Sequence, residues 1–100
     1  SQSAEADAVV TGLIDDLKTS LKVYPNPTVS YLKLELHNTQ QQPFNVELID
    51  LAGHIVDVKM VNSLGSYEEV VFDVSALKSG IYIYRIFDSS SQFTGRFIKN

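Results

Sequence analysis

Residues 31–37, with the sequence YLKLELH, alternate between apolar and polar side chains and give the strongest indication of the fold class. Leu32, Leu34 and Leu36 occupy every second position, and the residues between them are polar or amphipathic. Because successive side chains of a β-strand point to opposite faces, this spacing places the three leucines on one face and leaves the other face to water. The stretch therefore predicts a strand of a sheet that packs on a core with one face only.

From residue 21 onward, short segments rich in β-branched and aromatic residues recur about every ten to twelve residues, with turn residues between them. They predict seven strands, over residues 21–24, 31–37, 44–50, 55–61, 67–74, 81–88 and 93–99. This spacing is typical of a β-sandwich or a β-barrel. We therefore expect an all-β fold.

Apolar residues in three further segments predict which side chains lie deepest. The sets expected to face the core are Val56, Val58 and Met60 in the fourth segment and Val70, Phe72 and Val74 in the fifth. The sixth segment has apolar residues on both faces, with Ile81 and Ile83 on one and Tyr82, Tyr84 and Ile86 on the other. Both faces of this segment are therefore mostly apolar, so we predict that it is the central strand of its sheet.

The composition narrows the function classes. The chain of 100 residues is 44% hydrophobic and has no Cys, so we expect one packed domain without a disulfide, a thiolate metal site or a cysteine nucleophile. Its net charge is −4 and no cluster of Lys and Arg could neutralise a run of phosphates, which argues against nucleic acid as a partner. The longest apolar runs are far shorter than the roughly 20 residues that cross a bilayer, so no transmembrane segment is expected.

Charge is unevenly distributed along the chain. Residues 1–20 hold four acidic residues and one basic residue (−3), whereas residues 21–100 hold eight acidic and seven basic residues (−1). Apolar residues in the first segment have helical spacing, but Gly12 interrupts them and the segment is too short to hold a helix alone. We expect residues 1–20 to be an acidic linker and residues 21–100 to be one folded domain.

The connections between the predicted strands contain typical turn residues. Pro25 and Pro27 fix φ and remove two hydrogen-bond donors, so the first strand is expected to end in a rigid corner. Asp50 and Gly53 predict a tight hairpin, because the acid can accept hydrogen bonds from the backbone ahead and glycine tolerates a positive φ. Residues 75–80, which begin with a capping Ser and end with Gly, predict a single turn of α-helix or 3₁₀-helix.

Candidate catalytic and metal-binding residues are few. Ser75 and Lys78 match the S-x-x-K string of serine acyl-enzymes, but the partner motifs S-D-N and K-T-G are absent, which favours a capped turn. His37 and His54 stand at predicted strand ends, without a G-x-S-x-G elbow or a metal-ligand spacing, which favours solvated loop histidines. We therefore predict no catalytic residue, no metal ligand and no cofactor.

Two sets of side chains leave a binding function open. Four strand-end carboxylates could supply calcium ligands, although turn formation explains them more simply: Asp50, Asp57, Asp73 and Asp88. Three aromatic rings could stack on sugars, although tyrosine is also a good strand former: Tyr24, Tyr31 and Tyr67. A glycan- or protein-binding module of a surface adhesin or enzyme is therefore the alternative function.

Four motifs occur in order along the chain: KVYPNPT at residues 22–28, VELIDLAGHIV at 46–56, FDVSALKSGIY at 72–82 and GRFIKN at 95–100. The series resembles the C-terminal sorting domains of proteins exported by the type IX, or Por, secretion system, and the resemblance covers residues 21–100. It implies a seven-stranded immunoglobulin-like sandwich that is not an enzyme. It also implies an address label for a cargo domain that precedes Ser1.

The resemblance further implies a route and partners. The parent protein would reach the periplasm by an N-terminal signal peptide, and an outer-membrane translocon would recognise the folded domain. A sortase-like surface peptidase commonly removes such a domain, and we expect the processing site in the linker. The cargo would then be joined to anionic lipopolysaccharide at the cell surface or be secreted.

The motif residues divide into two groups. Those with a structural explanation are Pro25, Asn26, Pro27, Asp50, Gly53, Gly80 and Tyr82. Contact with the translocon is expected from the last segment, at Arg96, Phe97, Ile98 and Lys99. A terminal strand at a sheet edge would offer unpaired backbone groups to a partner, and it would also permit self-association. Residues 85–100 hold three basic residues and one acidic residue, a net +2 that could guide docking.

Overall fold

The computed structural model describes residues 21–37, 43–62, 67–89 and 91–100. They form seven strands: β1 (Leu21–Tyr24), β2 (Tyr31–His37), β3 (Pro43–Asp50), β4 (Ile55–Asn62), β5 (Tyr67–Asp73), β6 (Gly80–Phe87) and β7 (Gln92–Lys99). Every predicted strand is confirmed, with ends that shift by one residue at most. The predicted linker, residues 1–20, lies outside the described residues. None of the described residues forms a helix that could cross a membrane.

The strands form two antiparallel sheets. One has three strands in the order β1-β2-β5, and the other has four in the order β4-β3-β6-β7. The chain changes sheet after β2, after β4 and after β5, which gives an immunoglobulin-like β-sandwich. β6 lies between β3 and β7, so its predicted central place is confirmed.

The core lies between the two sheets and is built from alternate residues of the strands. β2 contributes Leu32, Leu34 and Leu36, each 0% exposed, as their alternation predicts. The other buried apolar residues are Leu21, Phe44, Val46, Leu48, Val70, Phe72, Val74, Tyr82, Tyr84, Ile86, Phe93 and Phe97. The inward set predicted for the fifth segment is therefore confirmed, and of the two apolar faces of the sixth segment the one with Tyr82, Tyr84 and Ile86 is buried. Full burial of one such side chain is worth roughly 1.5–3 kcal/mol, so packing can hold this chain without disulfides.

A β-bulge interrupts the pairing of β3 with β4. Leu48 pairs with Asp57, whereas Ile49 pairs with Ile55, so Val56 is an extra residue on β4. Val56 packs partly against the core. Bulges are common at sheet edges, and β4 is an edge strand of the four-stranded sheet.

The bulge reverses the faces of the residues that follow it. Lys59 pairs with the buried Val46 and lies on the inner face, where its ammonium nitrogen is 5.5 Å from the centre of the Phe72 ring. Val58 and Met60 point outward and are 51% and 84% exposed. The prediction that these two residues face the core is wrong, because the extra residue breaks the two-residue alternation on which it rests.

Gly95 determines how closely β7 approaches the Tyr84 side chain of β6. The two residues are paired, and a Cβ atom at Gly95 would lie 2.2 Å from the Tyr84 hydroxyl oxygen and 2.3 Å from its Cζ atom. Any side chain at this position would displace the fully buried tyrosine ring. The terminal strand therefore requires glycine here in order to pack.

Candidate functional site

The terminal strand β7 carries the four residues that the resemblance assigns to recognition, and its alternation divides them. Phe97 is fully buried and Lys99 is 7% exposed, whereas Arg96 and Ile98 point outward. The Phe97 ring stacks on Tyr82, with the ring centres 5.5 Å apart. Of these four residues, Arg96 and Ile98 are the two whose side chains the folded domain can present to a partner.

Lys99 has a structural role. Its ammonium donates hydrogen bonds to the carbonyl oxygens of Leu77, at 2.9 Å, and of Asn100, at 3.2 Å. A buried cation without partners would be costly, so these bonds explain how Lys99 is tolerated beside the core. Contact between a partner and Lys99 or Phe97 does not fit the folded domain, because alternation turns both side chains inward.

Residues 85–100 have three basic side chains, but two of them, Arg85 and Lys99, are held within the fold. The Arg85 guanidinium is 3.2 Å from the carboxylate of Glu47 and 3.0 Å from the side-chain oxygen of Gln92. Since Lys99 is buried as well, Arg96 is the basic residue of this segment that lies on the exposed side of β7. Among the basic residues of this segment, Arg96 is therefore the one that β7 presents to a partner.

The corner that follows β1 lies against β7. Its two proline peptide bonds, at residues 24–25 and 26–27, are both cis. The Asn26 side-chain oxygen accepts a hydrogen bond from the N–H of Ile98 at 2.9 Å, and the Asn26 side-chain nitrogen donates to the carbonyl oxygen of Arg96 at 3.5 Å. One carboxamide group thus contacts the backbone of the terminal strand at two positions.

Thr28 extends the contact begun by Asn26. Its N–H donates to the carbonyl oxygen of Ile98 at 2.8 Å, and its own carbonyl accepts from the N–H of Asn100 at 2.8 Å, which forms a parallel bridge at Lys99. We call these contacts of Asn26 and Thr28 with β7 the corner clamp. They occupy the edge of β7 that faces away from β6. The prediction of an unpaired terminal edge is therefore wrong for residues 98–100, because the chain after the corner crosses to the other sheet and covers that edge.

The corner clamp joins the first and the last of the four sequence motifs. The sequence pattern alone indicates Asn26 as a turn residue and gives no sign of its partners on β7. One signal was nonetheless available, because an Asn between two prolines stands where backbone donors are scarce and keeps a donor and an acceptor in its own side chain. Such a residue is suited to hydrogen bonds with the backbone of another strand.

The hairpin between β3 and β4 is formed as predicted. The Asp50 carboxylate accepts from the N–H groups of Ala52, at 3.0 Å, and of His54, at 2.8 Å, and Gly53 has a φ of 91°. These bonds, chiefly the one from the His54 backbone, hold the pKa of Asp50 below its usual value. The His54 ring lies 3.3 Å from the same carboxylate, so both side chains contribute to the turn.

The connection before β6 positions Tyr82. The Tyr82 hydroxyl donates to the carbonyl oxygen of Lys78 at 2.7 Å, and Gly80, at the start of the strand, has a φ of 154°. The single turn predicted for this connection is present as one hydrogen-bonded turn of the 3₁₀ type, and it does not extend into a helix. Its backbone makes one turn, in which the N–H of Leu77 donates to the carbonyl oxygen of Val74 at 3.0 Å, and then extends into β6.

Ser75 belongs to this turn. Its hydroxyl donates to the Asp73 carboxylate at 2.6 Å, and its N–H donates to the same oxygen at 3.0 Å. The bond from the hydroxyl is the main reason why the pKa of Asp73 lies below its usual value. The Ser75 hydroxyl therefore stabilises a turn together with a carboxylate two residues away, as the turn interpretation of S-x-x-K expects.

The other candidate ligands are dispersed over the sandwich. His37 ends β2, and its ring centre is 4.7 Å from that of Tyr67. His54 lies in the turn between β3 and β4, which belong to the other sheet. The carboxylates considered for calcium each accept a hydrogen bond from a nearby backbone N–H: Asp50, Asp57, Asp73 and Asp88. Within the described ranges, no group of three His, Asp or Glu residues is placed to hold a metal ion.

The tyrosines considered for sugar stacking lie on the outer face of the three-stranded sheet, and they are Tyr24, Tyr31 and Tyr67. The Tyr24 hydroxyl donates to Glu35, which raises the pKa of Tyr24. Its ring is also covered by the Lys33 ammonium, 5.6 Å from the ring centre. The Tyr67 hydroxyl is 3.3 Å from Glu69. Two of the three tyrosines thus make polar contacts along the sheet, and a glycan-binding platform is not favoured.

Comparison with known proteins gives one family. A family model described as the secretion system C-terminal sorting domain matches residues 22–100. No curated protein matches the chain. The matched region contains both halves of the corner clamp and, apart from the first residue of β1, all seven strands. Domains of this family act as sorting signals for type IX secretion, and the chain belongs to that family.

Proposed function

We propose that residues 21–100 deliver a cargo protein, joined ahead of Ser1, from the periplasm across the outer membrane and to the cell surface or the medium. The family match supports the sorting role. In this role the domain binds the type IX translocon as a folded signal and catalyses no reaction. The turn contacts of Ser75, the catalytic candidate in the sequence, support a domain without an active site.

We assign the translocon contact to Arg96 and Ile98, and the observation that carries this assignment is the corner clamp. Asn26 bonds to the backbone of both residues, and Thr28 bonds to that of Ile98. The backbone of the signal is thereby fixed while the two side chains point outward. A partner can recognise such side chains without unfolding the domain, which lowers the ordering cost of binding.

The linker is the proposed site of processing by a sortase-like surface peptidase. Leu21 is buried and pairs with Leu36, so a cut after the start of β1 would meet a strand that is held in a sheet. The chain ahead of Leu21 is the segment with four acidic residues and one basic residue. Cleavage there would release the cargo and leave the sandwich intact.

An export assay tests the function. Residues 1–100 are fused to the C-terminus of a folded periplasmic reporter in a cell with an active type IX system, and the intact fusion is expected outside the outer membrane. The double variant Arg96→Gln/Ile98→Thr should remain in the periplasm. The control Val71→Thr changes an exposed residue on the outer face of the other sheet and should be exported like the intact fusion.

The two failures of this assay have different meanings. Retention of the intact fusion in the periplasm would contradict the proposed function. Normal export of the double variant would contradict the assignment of Arg96 and Ile98 but not the proposed sorting function. Denaturant unfolding of each purified domain confirms that the variants are folded.

A further inference from the structure

The outer faces of the two sheets differ in chemistry. On the three-stranded sheet, Lys33 and Glu69 form an ion pair at 3.0 Å and Glu35 accepts the Tyr24 hydroxyl, so polar contacts cover much of this face. The outer face of the four-stranded sheet also has an ion pair, between Arg85 and Glu47, but aliphatic residues cover it at the end of the sheet near Ile98. We call these residues the isoleucine row: Ile49, Ile55, Ile81, Ile83 and Ile98.

The strand register aligns the isoleucine row across the sheet. Its cross-strand pairs are Ile55 with Ile49, Ile49 with Ile83, Ile83 with Arg96, and Ile81 with Ile98. Since directly paired residues have their Cβ atoms about 4.5–5.5 Å apart on the same face, these side chains are neighbours. The row therefore runs from β4 to β7 and ends at Arg96.

Much of the isoleucine row is open to solvent. Ile55, Ile81 and Ile98 are 56%, 44% and 43% exposed. A single exposed aliphatic residue such as Val71 is ordinary, but adjacent ones on one face mark an interaction surface. The described residues leave this surface open to solvent, which makes it available to a partner.

The isoleucine row is continuous with the residues assigned to recognition. Ile98 is a member of the row, and Arg96 is paired with its central residue, Ile83. Asn26 and Thr28 occupy the β7 edge at residues 98–100, so a partner cannot add a strand there. It reaches these side chains from the sheet face.

We propose that the isoleucine row and Arg96 form one docking face for a protein component of the secretion machinery. That component presents an apolar surface with a carboxylate opposite Arg96. This inference rests on the proposed sorting function and identifies the surface that performs it. It makes Ile49, Ile81 and Ile83 part of the signal, in addition to the residues of the last strand.

Charge favours a protein over an anionic lipid or lipopolysaccharide surface as the occupant. The outer face carries two arginines, Arg85 and Arg96, of which Arg85 is paired with Glu47, and residues 21–100 have a net charge of −1. Anionic membrane surfaces attract clusters of several basic residues, which this face lacks, whereas a guanidinium beside aliphatic residues suits a protein partner with a matching carboxylate.

The test compares two double variants in the reporter fusion. Ile81→Thr/Ile83→Thr makes the row more polar and keeps β-branched residues in the strand. We expect it to weaken docking by about tenfold and to lower the exported fraction accordingly. The control Val58→Thr/Val71→Thr changes two exposed aliphatic residues outside the row and should leave export unchanged. Unfolding midpoints of both purified domains show whether the sandwich is retained.

A photo-crosslinking amino acid at position 81 identifies the occupant. It should form adducts with a protein of the outer-membrane machinery, whereas the same amino acid at position 71 should not. Two results would overturn the docking face if the intact fusion is exported. One is adducts mainly with lipid or lipopolysaccharide, and the other is normal export of Ile81→Thr/Ile83→Thr. Retention of the intact fusion would overturn the sorting function together with the docking face.

Discussion

The side-chain oxygen of Asn26 accepts the backbone N–H of Ile98 at 2.9 Å, across 72 residues of sequence. The bond joins the corner that follows the first strand to the backbone of the last strand. It therefore makes the surface of β7 depend on a turn at the opposite end of the domain sequence.

Replacement of Asn26 should loosen the terminal strand. Asn26→Ala removes both hydrogen bonds to β7, and we expect a loss of about 1–2 kcal/mol in the free energy of unfolding. Asn26→Asp keeps an acceptor for the Ile98 N–H and should lose less. Amide hydrogen exchange at Ile98 should be fastest in Asn26→Ala, whereas Asn62→Ala, at the exposed end of β4, should leave it unchanged. Equal protection of Ile98 in all these proteins would contradict the clamp.

Gly95 should be among the least replaceable residues of the domain. Gly95→Ala would place a Cβ atom 2.2 Å from the Tyr84 hydroxyl oxygen, so the ring or the strand must move. We expect a loss of about 3 kcal/mol, at the upper end of the range for overpacked cores. Gly53→Ala is the matched comparison, because its Cβ meets open space and its cost, about 1 kcal/mol, comes from a φ of 91° alone. Urea unfolding of the two variants measures the difference, and a Gly95→Ala domain no less stable than Gly53→Ala would refute the close packing.

Substitutions of Lys99 and Arg96 should distinguish a residue that stabilises the fold from one that is assigned to recognition. Lys99→Ala removes a buried stem and the hydrogen bond to the Leu77 carbonyl, so we expect a loss of about 1–3 kcal/mol. Arg96→Ala changes an exposed side chain and should alter stability by less than about 0.5 kcal/mol. Thermal and urea unfolding give both values. A destabilisation by Arg96→Ala as large as that by Lys99→Ala would show that Arg96 also has a structural role.

Acid should weaken two turns of the sandwich. The pKa values of Asp50 and Asp73 lie below the reference value of 3.8 because both carboxylates accept hydrogen bonds in turns. A lowered folded-state pKa contributes stability that is fully present above the unfolded-state value and is lost as the pH falls through the folded-state value. The urea midpoint should therefore decline below about pH 4.

The double variant Asp50→Asn/Asp73→Asn tests this linkage. A neutral amide oxygen accepts weaker hydrogen bonds than a carboxylate, so the variant should be less stable than the original near neutral pH. Because neither Asn side chain titrates, it should lose less stability on acidification. Urea midpoints at neutral pH and at pH 3 give both losses. Equal losses would mean that other groups determine the acid sensitivity.

Sequence reasoning succeeded where local chemistry decides the structure. The leucines of β2 predict the strand and its buried face, and Asp50 with Gly53 predicts the hairpin, because a few adjacent residues fix each feature. It failed at Val56, since an alternating pattern does not show that one residue is skipped in the pairing with β3. It also missed the clamp at Asn26, because no local pattern connects a corner with a strand that enters the fold 72 residues later.

The sorting function is decided by the export of the reporter fused to residues 1–100, measured in cells with an active type IX system and in matched cells without its outer-membrane translocon. If the domain is a sorting signal, the reporter reaches the cell surface or the medium in the first cells and stays in the periplasm of the second. Export in both, or retention in both, would contradict the sorting function.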